Sequence, residues 1–219
     1  MTTFPDSPKI LKAGLVLLDV TSGAVLKIIA LQYNPETLTR TIQVQAAASG
    51  GEGGDHSEAL RLKGPAVETF KVDAEIDATD QLAANDSDAV RLGIAPQIAA
   101  FETIVYPSTA TLVSNDALAS SGMLEILPME QPLVLFVWGA NRIVPVRITD
   151  FSVTEEAFDP NLNPIRAKVS LGMRVLSVTD LGFSHRGGSI YLAYQRAKET
   201  LAAAAAGGDF KNLGIGGIS

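Results

Sequence analysis

The chain has 219 residues, of which 47% are hydrophobic and 19% charged, a composition typical of a folded protein rather than a disordered one. Its formal net charge is −7 and its Lys and Arg residues are scattered, which argues against binding to nucleic acid or anionic lipid. The absence of cysteine excludes disulfides, thiolate nucleophiles and Cys-ligated zinc. No apolar run reaches the roughly 18 residues that cross a bilayer, and the N-terminus lacks the layout of a secretory signal. We therefore expect assembly in the cytoplasm without membrane insertion.

The first 45 residues predict three strands. Residues 12–20 and 24–33 are mostly apolar and are divided by a short polar turn, which indicates a hairpin. Pro35 then withholds a backbone donor and should end the pairing. A third strand is predicted over 38–45 because apolar and polar side chains alternate there, although Arg40 interrupts the apolar side.

A glycine-rich loop and a strongly periodic strand follow. Residues 46–58 contain four glycines around Glu52 and predict a mobile loop. The strand from Thr69 to Ala78 has the clearest alternation in the chain, which predicts one buried and one solvated face. The residues expected on the buried face are Phe70, Val72, Ala74 and Ile76.

The period changes to helical after Asp86, which is a plausible N-cap. Pro96 should either break this helix or begin a new one. The apolar positions spaced by three or four residues are Val90, Ile94, Ile98, Phe101 and Val105.

The second half returns to strands at 133–137, 142–149 and 166–178, with a turn at 161–164 before the last of them. The run from Leu133 to Trp138 is apolar at consecutive positions, which predicts a strand covered on both faces. A neighbouring subunit is one candidate for the second cover.

The end of the chain has a different character. Ser189 to Ala206 predicts a helix that ends at Gly207-Gly208, and the glycine-rich residues 212–219 predict a flexible tail or one ordered by a partner. We therefore divide the chain into a mainly β domain of the α+β class over 1–183 and a C-terminal helix with its tail over 184–219.

The search for chemistry predicts no catalytic, cofactor-binding or metal-binding residues. The two histidines, His56 and His185, are far apart in the sequence and have no nucleophile motif beside them. The glycine run at 50–54 lacks the Lys-Ser/Thr ending of a phosphate loop. The carboxylates that alternate along the strand from Thr69 to Ala78 are interpreted as a solvated face or a charged subunit contact. Trp138 is interpreted as a core or interface residue.

Several segments, taken together in their order and spacing, resemble a known family. They are Leu31–Leu38, Glu68–Asp77, Phe136–Gly139 and the return from Phe158 to Val169. In these segments the chain resembles the tube-protein family of contractile injection systems, the phage-tail-like machines. It resembles in particular the baseplate member that joins the central spike to the inner tube. The resemblance covers roughly residues 10 to 180.

The resemblance implies a β-barrel or sandwich with a flanking helix that packs side by side into a six-fold ring. The implied partners are other copies of the chain, the spike hub protein, the inner-tube protein and baseplate wedge proteins, within a particle that is either released or anchored. Many relatives continue into a LysM-type module, whereas this sequence continues into an alanine-rich helix and a glycine-rich tail. The expected assembly contacts are Tyr33, Asn34, Pro35 and Trp138, with Ile190, Tyr191 and Tyr194 on the C-terminal helix.

Three alternatives remain open at this stage. The first is an ordinary inner-tube subunit, although such subunits usually end near the last strand. The second is a carbohydrate-binding module that uses Trp138 and the tyrosines of the C-terminal helix. The third is a hydrolase with His56 or His185 as its base.

Overall fold

The computed structural model describes residues 10–46, 61–120, 131–205 and 207–218. These parts of the chain form seven strands and six α-helices. The strands are β1 (Gly14–Leu18), β2 (Val25–Ala30), β3 (Leu38–Gln43), β4 (Val67–Asp77), β5 (Leu133–Val137), β6 (Ile143–Phe158) and β7 (Pro164–Val175). The helices are α1 (Thr79–Ala83), α2 (Ser87–Leu92), α3 (Ala95–Val105), α4 (Thr109–Ser120), α5 (Val178–Leu181) and α6 (Arg186–Ala204).

The seven strands form one sheet in the order β2-β1-β5-β6-β7-β4-β3, and every neighbouring pair is antiparallel. The predicted first hairpin is confirmed as β1 and β2. Its turn is held by the Asp19 carboxylate, which accepts hydrogen bonds from the backbone N–H and the hydroxyl of Ser22. Gly23 follows with a φ of 68°, a conformation that favours glycine. The strands β2 and β3 are the two edges of the sheet.

The sheet is rolled rather than flat. Strands β4 and β5 are three places apart, so a flat sheet would separate them by about 14 Å. The ring centroids of Phe70 on β4 and Phe136 on β5 are nevertheless only 5.3 Å apart. Strand β6 has register shifts between Ile148 and Asp150 and again near its end, and such bulges bend a strand. The two halves of the sheet therefore enclose a common core.

The inner faces of the central strands supply this core. The alternation predicted for β4 is confirmed, because each of the four residues predicted for its buried face is at most 4% exposed. The matching residues of β7, which are all buried, are Ala167, Val169, Leu171, Met173 and Val175. The predicted mainly β fold of the α+β class is confirmed in this arrangement.

The helical region after Asp86 consists of separate helices rather than one. The Asp86 carboxylate caps α2 by accepting hydrogen bonds from the N–H groups of Asp88 and Ala89, as predicted. Helix α2 ends at Gly93, which has a φ of 58° and lies against the carbonyl of Pro164, so a side chain has no room there. Pro96 lies in the first turn of α3, where a missing N–H costs nothing. Helix α3 then buries Ile98, Phe101 and Ile104.

Two features of burial differ from the predicted pattern. The apolar side of β3 lies on the core side of the sheet, where Leu38 packs against the core, but Ile42 is 49% exposed because β3 is an edge strand. The second face of β5 is covered by this chain itself rather than by a neighbouring subunit. Leu133 and Leu135 pack there with Leu181 of α5 and Ile190 of α6.

The C-terminal helix begins three residues earlier than predicted. The His185 side chain caps it, since Nδ1 accepts a hydrogen bond from the Gly187 N–H at 3.0 Å. Helix α6 ends at Ala204, and a short 3₁₀ helix follows at Phe210–Leu213. Nearly all of the predicted glycine-rich loop at 46–58 lies outside the described residues. No helix in the described ranges is long and apolar enough to span a bilayer.

Candidate assembly interface

Both edges of the sheet expose apolar side chains. On β2, Val25, Leu26 and Ile28 are 56–67% exposed. At the other edge, Ile42 is 49% exposed and Val44, just beyond the end of β3, is 64% exposed. An edge strand with unpaired backbone groups and exposed apolar side chains is a template for pairing with another strand. These two edges are therefore the strongest candidates for contact with other subunits.

The sequence of β2 explains why its apolar side chains remain exposed. Ile29 points into the core and is buried, whereas Ile28 pairs with Val16 and points to the opposite face. The pairing skips one residue between Lys27 and Val25, so Leu26 lies at an irregularity. The strand is apolar on both faces, but the fold covers only one of them.

The charged face of β4 is paired within the sheet. The Asp73 carboxylate accepts a hydrogen bond from the Ser170 hydroxyl at 2.6 Å and lies 3.6 Å from the Lys168 ammonium group. The Asp77 carboxylate lies 2.7 Å from Arg166. Hydrogen bonding from Ser170 lowers the pKa of Asp73, and hydrogen bonding from Thr79 together with Arg166 lowers the pKa of Asp77. These carboxylates are held ionised by neighbours on the sheet.

Gln32 and Asn34, on either side of Tyr33, form hydrogen bonds within the chain. The Gln32 side chain bonds both the N–H and the C=O of Asp77, at 3.0 and 2.6 Å, and so ties the end of β2 to the end of β4. The Asn34 side chain accepts from the Ala13 N–H and donates to the Leu11 C=O. Tyr33 is 48% exposed and Pro35 is half-buried. The polar groups of Asn34 are thus used inside the chain, while Tyr33 is accessible.

Trp138 lies in the turn after β5. It is half-buried against the core, and its ring lies 5.8 Å from that of Phe136. The backbone N–H of Trp138 donates to the Arg142 C=O across the turn. A contact between Trp138 and another subunit remains a prediction.

The three residues predicted on the C-terminal helix face this chain's own sheet. Ile190 is half-buried beside Leu133, and Tyr191 and Tyr194 are each 4% exposed. These side chains hold α6 on the domain, and a role for them in docking to a baseplate component remains a prediction. The exposed part of α6 is instead its last turns, from Glu199 onwards.

A buried carboxylate that the sequence reading missed fixes α6 to the sheet. Glu68 on β4 is 4% exposed, and it accepts hydrogen bonds from the Tyr194 hydroxyl and the Lys198 ammonium group, both at 2.7 Å. Arg40 on β3 lies 3.7 Å away. Burial, with added influence from Glu68, raises the pKa of Tyr194 to about 12. The one available signal is that Glu68 is in phase with the buried residues of β4.

The residues proposed for other activities do not converge in the described structure. His185 uses Nδ1 to cap α6, and His56 lies outside the described residues. Within the described ranges, no group of three or more His, Asp or Glu side chains could hold a metal ion. Tyr191 and Tyr194 are too buried to stack on a sugar.

A rolled antiparallel sheet with two apolar edges and flanking helices defines a mainly β protein of the α+β class. The chain matches the family described as contractile injection system tube protein over residues 18–177, most of its length. It belongs to that family, whose members are structural components of phage-tail-like particles rather than enzymes. A search of curated proteins finds no match to this chain.

Proposed function

We propose that this chain forms a six-membered ring in the baseplate of a contractile injection particle, where the ring joins the central spike to the inner tube and templates the first tube layer. The observation that carries this proposal is the pair of edges, β2 and β3, at opposite ends of the sheet that the described residues form. Two different edges that pair between copies make a head-to-tail contact, and such contacts close into rings when the rotation permits.

The apolar side chains at the edges support pairing between copies. Ile28 and Val25 on β2 would be covered by the neighbouring copy, as would Ile42 and Val44 beside β3. The carboxylates of Asp73 and Asp77 on β4 are already paired within the chain, so they add little repulsion between copies. The ring would bury the edges that an isolated subunit leaves exposed.

The position at the spike is favoured by the C-terminal extension. The family match ends at residue 177, whereas α6 and the segment after it continue to the end of the chain. This extra element would contact baseplate components that an ordinary tube layer does not meet. Assembly of the ring would take place in the cytoplasm, with the spike hub, inner-tube and wedge proteins as partners.

A single charge on β2 tests the ring. Ile28 is 67% exposed, so Ile28→Lys should leave the isolated fold intact while placing an ammonium group in the proposed contact. The expected result is a ring for the unchanged protein and a monomer for the variant, measured by light scattering after gel filtration and by negative-stain microscopy.

Val113→Lys provides the matched control. Val113 is 64% exposed on α4, which is part of neither edge strand, so its replacement introduces the same charge at similar exposure. Rings should persist in this variant. Rings that also persist in Ile28→Lys would contradict pairing through β2.

The second candidate is an ordinary inner-tube subunit, which is favoured by the name of the matched family. The two candidates share the ring and differ in whether identical rings stack on one another.

A further inference from the structure

We infer that Arg40 on the edge strand β3 is a reserve counter-ion for the buried carboxylate of Glu68. Arg40 replaces Lys198 as the cation that pairs with Glu68 when the end of α6 leaves the sheet. The last ten residues of α6, 195–204, therefore form a detachable arm on a fixed first half. This device lies within one chain and does not depend on the proposed ring.

The two halves of α6 are held to the sheet differently. In the first half, Tyr191 and Tyr194 are each 4% exposed and belong to the main core. In the arm no described side chain is fully buried, and those from Glu199 onwards are exposed. Among the described residues, the bond from Lys198 to Glu68 is the only side-chain hydrogen bond between the arm and the sheet. Lys198 is therefore the polar anchor of the arm.

Arg40 is placed to reach the same carboxylate from the neighbouring strand. In the pairing of β3 with β4, Arg40 lies opposite Phe70, and Ile42 lies opposite Glu68. Arg40 and Glu68 are thus diagonal neighbours on one face of the sheet, about 7–8 Å apart at the backbone, which a long side chain can span. Arg40 Nε lies 3.7 Å from Glu68 Oε1, close enough for an ion pair but too far for a hydrogen bond.

Arg40 is held at this distance because both oxygens of Glu68 already have donors. Oε1 accepts from the Tyr194 hydroxyl and Oε2 accepts from the Lys198 ammonium group, each at 2.7 Å. A second cation beside this carboxylate also meets the charge of the first. When Lys198 leaves, Oε2 becomes free, and the forked guanidinium can bond the carboxylate. The Arg40 side chain is 40% exposed, which leaves it room to move, so Glu68 keeps a counter-ion in both states.

A double-mutant cycle on Arg40 and Lys198 tests this inference. Methionine replaces each of them, because it keeps an unbranched chain and loses the charge. The unfolding equilibrium constant of the full-length chain is measured by urea denaturation. Each single variant should raise this constant by less than about tenfold, because one cation remains. The double variant should exceed the product of the two single effects by about tenfold or more, and failure of the double variant alone to fold is the extreme of that result.

Arg166→Met provides the matched control, because Arg166 pairs with Asp77 on β4 rather than with Glu68. Combined with Lys198→Met, it should give the product of the two single effects within about twofold. Glu68→Gln should remove the excess from the cycle on Arg40 and Lys198, since a neutral amide needs no counter-ion. A cycle without excess, or an excess that survives Glu68→Gln, would overturn the inference.

Hydrogen exchange followed by mass spectrometry locates the movement. In Lys198→Met, the amides of the arm should exchange several-fold faster than in the unchanged protein. The amides of β3 should keep their rates, because Arg40 then holds the carboxylate on β4. Unchanged exchange in the arm, or faster exchange along β3, would contradict the exchange of partners. The same results are expected in the Ile28→Lys chain, so loss of the ring leaves this inference standing.

Discussion

Tyr194 connects the C-terminal helix to the only charged residue that is buried in the described structure, Glu68. The hydroxyl donates to the carboxylate, and the Lys198 ammonium group lies 4.0 Å from the centre of the Tyr194 ring while it also bonds Glu68. A buried carboxylate needs such partners because leaving it unpaired costs several kcal/mol. These residues therefore make α6 and the sheet depend on each other for stability.

The raised pKa of Tyr194 predicts a stability change at alkaline pH. In the unfolded chain the hydroxyl titrates near 10, whereas in the fold its pKa is about 12. The stabilisation from the protonated hydroxyl is therefore intact below pH 10 and falls as the pH rises towards 12. Tyr194→Phe should be less stable than the unchanged protein by about 1–2 kcal/mol at pH 8, with the difference shrinking above pH 10. Urea unfolding at pH 8, 10 and 11 measures this difference.

Tyr106→Phe is the control, because Tyr106 is 68% exposed and its hydroxyl has no buried partner to lose. Its replacement should leave the pH dependence of the free energy of unfolding unchanged. A difference between Tyr194→Phe and the unchanged protein that stays constant from pH 8 to 11 would contradict the prediction.

At the same scale, the sequence allowed some side-chain roles to be predicted and not others. The Asp86 cap and the buried residues of β4 depend on neighbours within four positions, so local patterns revealed them. The two hydrogen bonds of the Gln32 side chain are made to Asp77, 45 positions away, and the hydrogen bonds of Glu68 span more than 120 positions. No local pattern reports such distant partners.

At the scale of elements, the junction between α5 and α6 leaves no room for a side chain at Gly188. Gly188 is buried, and a Cβ atom there would overlap the carbonyl oxygen of Gly182 in the preceding turn. Gly188→Ala should therefore reduce the free energy of unfolding by about 1–3 kcal/mol, even though alanine is the better helix former. Urea unfolding followed by circular dichroism measures the change.

Gly207→Ala is the matched control, since a Cβ atom at Gly207 meets nothing within 4 Å. Its free energy of unfolding should stay within about 0.5 kcal/mol of the unchanged protein. A stability gain in Gly188→Ala would mean that the turn can move away from α6 at little cost.

The elements themselves differed in how well the sequence predicted them. Strand β4 and helix α6 were predicted in nearly the right places, because each has a strong periodic pattern or composition. The division into α2 and α3 was predicted in part, since Pro96 indicated a break or a new start and lies in the first turn of α3. The end of α2 at Gly93, where the backbone approaches Pro164 at the start of the distant β7, was not predicted.

At the scale of the whole molecule, the rolled shape follows from contacts that the sequence does not display. The sequence predicts a mainly β chain, but the order β2-β1-β5-β6-β7-β4-β3 brings together strands from both ends of the chain. This order leaves β2 and β3 as edges, and the exposed apolar residues of β2 therefore became visible as a candidate interface only in the fold. The resemblance to tube proteins was the stronger guide to function, and the family match confirms it.

The symmetry of the proposed ring makes a last prediction about stacking. Rotation about a single axis places every copy of α6 on the same side, so the exposed last turns of α6 and the short helix Phe210–Leu213 would cover one face of the ring. A spike adaptor should therefore stop at one ring, with a mass near 138 kDa, six times the 23.0 kDa of one chain. Added inner-tube protein should then grow from one face only. Light scattering and electron microscopy distinguish the cases, because long tubes formed by this chain alone would identify an ordinary tube subunit instead.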